Sequence, residues 1–171
     1  YRETLPDDRR TLLERFEIVD MARKVVGVGS VGIRAFILLL QGRDEADPLF
    51  LQIKGANASV LEGHLPKSRY RQPGERVVQG QRLMQGASDI FLGWLGVARS
   101  IDGTGRDYYV RQLRDWKGSV VIETMDSAAL GVYGRLCAAT LAHAHARSGD
   151  RIAIAAYLGS GTVFDRAVVA F

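Results

Sequence analysis

The sequence predicts an α+β fold, with a small antiparallel sheet built around a glycine-rich hairpin and a mainly helical C-terminal part. Three observations carry this expectation. Residues 33–40, Ile-Arg-Ala-Phe-Ile-Leu-Leu-Leu, are mostly β-branched, aromatic or aliphatic, in a run short enough for a buried strand. Residues 49–54 alternate, with Leu49, Leu51 and Ile53 on one face and Phe50, Gln52 and Lys54 on the other. Leu130, Tyr133, Cys137, Leu141 and Ala144 are spaced 3, 4, 4 and 3, which is one face of a helix. Strand patterns come first, with helices interleaved, and helices close the chain. A regular βαβ alternation is not seen.

Element by element, residues 7–15 have helical composition after Pro6, a residue that suits a helix start. Residues 16–26 turn β-rich. Residues 41–48 form a polar turn with Gly42, Asp44, Asp47 and Pro48 as breakers. A short helix is expected at 56–62, then a loop with two prolines at 63–74, then a longer helix at 75–88. Residues 89–97 and 106–113 read as a hairpin joined across Asp102-Gly-Thr-Gly105. Asp126 is the expected N-cap of a long helix running to Arg147, and two short helices fill 150–171.

The chain has 171 residues, 47% hydrophobic and 25% charged, enough for one domain with a real core. Its longest aliphatic stretch, at 35–40, falls far short of the ~20 residues that span a bilayer. No charged-then-apolar leader opens it. The Tyr1 start and the apolar ending at 165–171 lead us to expect part of a longer protein. Within this one region, residues 16–115 form the sheet part and 126–171 the helical part. Cys137 is the only cysteine, which excludes an intrachain disulfide and a Cys-rich metal site and fits a reducing cytoplasm. The net charge of +4 suits phosphorylated ligands. No run of five like charges occurs and no basic–aromatic interleaving stands out, so neither nucleic acid nor membrane is the expected partner.

Gly27-Val28-Gly29-Ser30-Val31-Gly32 matches G-x-G-x-x-G. In a dinucleotide-binding unit the third glycine opens a helix; here a strand pattern follows Gly32. Strand, glycine loop and strand is the arrangement of the protein-kinase nucleotide loop. Glycines let the backbone approach phosphates because no Cβ intervenes, and the amides can then donate to phosphate oxygens. That arrangement also needs a lysine on the third strand, and Leu51-Gln52-Ile53-Lys54 offers Lys54. Glu62 or Glu75 can orient it, with Glu62 the preferred partner. The competing reading is a tight hairpin with Lys54 at the surface.

A kinase further needs a catalytic Asp, a metal-binding Asn and a second metal-binding Asp. His145-Ala-Arg-Ser-Gly-Asp150 offers an Asp, but Ala155 stands where Asn is wanted and no Asp-Phe-Gly follows. Asp150 is expected to cap the next helix. The chain is thus expected to hold no catalytic residue. His143 and His145, two apart on a helix, point to nearly opposite sides and cannot share a metal. Cys137 lies on the apolar helix face and is expected to be a buried thiol. Ser30, Ser59 and Ser119 have no evident His–Asp partners, and Trp94 and Trp116 read as core or hinge residues rather than ligand platforms.

Several strings together resemble one family. They are Val25-Val-Gly-Val-Gly-Ser-Val-Gly32, Pro48-Leu-Phe-Leu-Gln-Ile-Lys54, Gly80-Gln-Arg-Leu-Met-Gln85, Ala87-Ser-Asp-Ile-Phe-Leu-Gly-Trp94, Tyr109-Val-Arg-Gln-Leu-Arg-Asp115 and His145-Ala-Arg-Ser-Gly-Asp150. Over almost the whole chain they are similar to the uncharacterised bacterial family called domain of unknown function 2252. The resemblance implies a bacterial, cytoplasmic protein related to a circularly permuted kinase-like phosphotransferase. Its catalytic and metal-binding loops would lie upstream of the glycine loop. It further implies ATP with Mg as ligand, a small-molecule or protein substrate, and phosphate binding by residues 27–32, Lys54 and Glu62. Residues 111–115 would lie where a kinase hinge meets adenine. The alternative is a non-catalytic, kinase-like binding or regulatory module.

Overall fold

The computed structural model describes residues 1–24, 32–99, 103–114 and 118–171. Its elements are helix α1 (Asp7–Leu13), strands β1 (Glu17–Lys24), β2 (Ala35–Gln41) and β3 (Pro48–Ala56), helix α2 (Pro73–Met84), strands β4 (Gly93–Val97) and β5 (Arg106–Gln112), and helices α3 (Ser127–Ser148), α4 (Arg151–Leu158) and α5 (Val163–Ala170). The five strands form one sheet in the order β1-β2-β3-β5-β4, with every pair antiparallel. The α+β class and the helical C-terminal part therefore stand as expected.

The alternation in β3 decides its burial. Leu49 and Leu51 point to a core that also holds Leu40 from β2 and Val110 from β5. Leu5 and Leu13, from the N-terminal segment, cover this face. Each such side chain contributes roughly 1.5–3 kcal/mol by leaving water. Thr4 ties the segment to the sheet edge, its Oγ1 accepting from the Trp94 amide at 3.0 Å. The Tyr1 hydroxyl donates to the Phe91 carbonyl.

The opposite face carries α2. Gly74 lies so close to β5 that a Cβ there would sit 2.3 Å from the Tyr108 carbonyl oxygen. Val78, one turn on, is fully buried. The guanidinium of Arg82 lies 5.9 Å from the Trp94 ring centroid and donates to the Leu92 carbonyl at 2.6 Å.

Four local expectations need correction. The helix expected at 56–62 is only a 3-10 turn, Val60–Gly63, which Ser59 opens by accepting from the Leu61 amide. Residues 89–92 are a turn rather than strand. The carboxylate of Asp89 accepts from the amides of Phe91 and Gln112, both at 2.8 Å, and a side chain so engaged draws the backbone off the ladder. The long helix α2 starts at Pro73 and stops at Met84, short of Ser88. Strand β2 starts at Ala35, two residues later than expected.

The chain divides into two compact units, Tyr1–Arg82 with Ala87–Gly118, and Leu83–Gly86 with Ser119–Phe171. In the second unit Asp126 accepts from the Ala129 amide at 2.7 Å and opens α3. Asp150 accepts from the Ile152 and Ala153 amides, both at 3.0 Å, and opens α4. Tyr157 meets Phe164 edge-on at 6.2 Å, which packs α4 against α5. Cys137 is exposed, not buried. Its apolar neighbours Leu136 and Leu141 are exposed too. The spacing of apolar residues defines a helix face, but not whether other chain covers it. The Tyr133 phenol hydrogen-bonds Cys137 one turn away, which raises its pKa. No single helix among the described residues is long and apolar enough to cross a membrane.

Candidate functional site

One row of residues crosses the whole sheet. Lys24 pairs with Ala35, Ala35 with Lys54, Lys54 with Tyr109 and Tyr109 with Trp94. Directly opposed residues in antiparallel strands share a face, so these five side chains lie on the side that carries α2. Lys54 is half-buried on the central strand, between Ala35, fully buried, and Tyr109. Burial raises the pKa of the Tyr109 phenol, opposed by the nearby Arg111 cation.

Of the glycine motif, Gly27, Val28, Gly29, Ser30 and Val31 lie outside the described residues. Gly32 lies within them, at φ +82°, in the left-handed region that only glycine enters without strain. No described atom lies within 4 Å of where its Cβ would be, so among the described residues conformation and not crowding demands glycine there. Two residues on, the Arg34 carbonyl accepts from the Gly55 amide at 2.9 Å. This bond fastens the arm leaving the glycine motif to the residue after Lys54. A cleft of about 250 Å³ opens beside it, lined by Gly32, Arg34, Gly55, Asn57, Arg106 and Asp107 among others.

Next to Lys54 on the same face is a pair that sequence reasoning did not single out. Gln52 is 3% exposed. Its Oε1 accepts from Nε of Arg111 at 3.1 Å and from Nη2 at 3.0 Å, across the β3–β5 register pair 52–111. A carboxamide in mid-strand, on the face opposite the leucines, was the available signal. Its partner depends on which strand lies next to β3, and the local pattern does not carry that.

Glu62 falls in the 3-10 turn and lines a second cleft with Lys67, Arg71 and Arg76. Lys54 is not among the residues lining that cleft. Glu75, the other carboxylate considered, is in the first turn of α2. It shares a helical face with Val78 and Arg82, the residues α2 turns to the sheet. Asp115, at the end of the hinge-like string, lies outside the described residues; within the string the Arg111 side chain has a defined partner, while the Gln112 amide donates to Asp89 and the Leu113 amide to the Phe50 carbonyl.

A five-stranded antiparallel sheet, a helix inserted between its third and fourth strands and a separate helical unit define an α+β protein with two lysines in the row that crosses one sheet face. The chain belongs to the bacterial family described as "Uncharacterized protein conserved in bacteria (DUF2252)", which matches residues 1–171. No curated protein and no solved structure matches the chain.

Proposed function

We propose that this chain is the nucleotide-phosphate-binding part of a kinase-like, ATP-dependent phosphotransferase of the cytoplasm, with its catalytic loop outside these 171 residues. The observation that carries the reading is the place of Lys54. It stands half-buried on the third strand, beside the residue that holds the arm leaving the glycine motif. A kinase uses a lysine on its third strand and a glutamate on the helix after it, and α2 follows β3 in this chain.

In this reading the amides of residues 27–32 donate to phosphate oxygens. The Lys54 ammonium anchors the same group as a point charge. Glu62 orients Lys54, with Glu75, on the sheet-facing side of α2, as the second carboxylate able to do so. Magnesium, when bound, neutralises charge on the phosphates. Its protein ligands are assigned to the catalytic and metal-binding loops that the family resemblance implies upstream of the glycine loop. The acceptor is a small molecule or a protein side chain.

A second reading, a binding module without chemistry, draws on Asp150. The one Asp at a kinase-like Gly-Asp step spends its carboxylate on the first turn of α4.

Calorimetric titration of the full-length protein with Mg-ATP tests the proposal. Saturable binding, displaced by inorganic triphosphate, is expected because the phosphates carry recognition. Absence of saturable binding overturns it.

A further inference from the structure

The second cleft gathers cations that the nucleotide reading does not use. It encloses about 240 Å³ and is lined by Lys67, Arg71 and Arg76, with Ser68, Tyr70 and a single acid, Glu62. Among the described residues Lys67 and Arg71 make no hydrogen bond or ion pair, and Glu62 forms no ion pair with any of the three cations. The cations therefore do not serve that carboxylate. Arg76 is anchored, its Nη2 donating to the Asn57 carbonyl at 2.8 Å. Its Nε is buried with no acceptor among the described residues, and a buried donor left unmade is costly. The Tyr70 ring is held in place by Arg69, which stacks 4.8 Å from its centroid and donates to its hydroxyl at 2.6 Å. That hydroxyl keeps its own proton to donate.

We infer that this cleft is a second anion site, which takes the dianionic phosphate of a small phosphate monoester. Two uncommitted cations and an anchored guanidinium supply charge-assisted donors to its oxygens. Glu62 selects against longer polyanions by repelling additional charge. The site shares the walls Ala58 and Pro73 with the cleft beside Gly32, yet its cations differ from that cleft's Arg34 and Arg106, and Lys54 lines neither.

The test is calorimetric titration of the full-length protein with inorganic phosphate and with phenyl phosphate, at fixed ionic strength, against chloride. Saturable binding of both is expected. The Lys67→Ala/Arg71→Ala double variant removes two exposed side chains that pack no core, and it weakens binding by about tenfold or more. The same double variant keeps wild-type affinity for Mg-ATP, which separates this site from the nucleotide reading. The inference is overturned if phosphate behaves as chloride does. It is equally overturned if the double variant binds as wild type, if Lys54→Ala alone abolishes binding, or if a duplex oligonucleotide displaces phosphate at far lower concentration.

Discussion

The carboxamide oxygen of Gln52 accepts both the Nε and Nη2 donors of Arg111 from the neighbouring strand. The pair joins the central strand to β5 on the face that carries Lys54. Gln52→Leu leaves a half-buried guanidinium without its acceptor and costs about 1–3 kcal/mol of stability. Arg111→Met in the same background recovers part of that loss, because replacing both partners removes the unmet donor. Urea midpoints of the two single variants and the double variant measure the coupling. Additive losses would rule out the pairing as a stabilising contact.

Two glycines of α2 respond in opposite senses to alanine. At Gly74 a Cβ meets the Tyr108 backbone, which cannot swing aside, so Gly74→Ala displaces the helix and destabilises by about 1–3 kcal/mol or more. At Gly80 nothing lies within 4 Å, and Gly80→Ala stabilises by up to about 1 kcal/mol through helix propensity. Thermal melts of both variants check the contrast, and equal shifts would contradict the packing of α2 on β5.

Alkaline pH should loosen the sheet unit through its tyrosines. The Tyr109 phenol is raised by burial, partly opposed by Arg111. The Tyr1 phenol is raised by burial and then by Asp89, opposed by Arg82. Both favour the neutral form when folded. Their contribution is whole below the unfolded phenol pKa of about 10 and is lost as pH climbs from there through the folded values. Tyr109→Phe therefore flattens the fall of stability above that pH, as urea unfolding across the alkaline range will show. An unchanged slope would argue against a buried Tyr109 hydroxyl.

Much of this fold was legible because its signals are local. The apolar run that became β2 and the alternation in β3 depend only on neighbours in sequence. The Asp126 and Asp150 caps are likewise set within three residues. Partnership across strands is different. That β3 pairs with β5, and so brings Arg111 to Gln52 and Tyr109 to Lys54, depends on a crossover through α2. The turn at Asp89 escaped because its carboxylate reaches Gln112, far along the chain. Burial of Cys137 was misjudged because an apolar helix face shows what can be covered, not what is. Of the candidate site, Lys54 and Gly32 stood out from spacing alone. The cations around Glu62 did not, because a 3-10 turn, an irregular loop and the first turn of α2 gather them.

The affinity of the full-length protein for Mg-ATP, before and after Lys54→Ala, tests the central claim most directly. A loss of about tenfold or more is expected, the effect of removing one charge-assisted contact. Equal affinity of the two proteins would contradict the role assigned to Lys54.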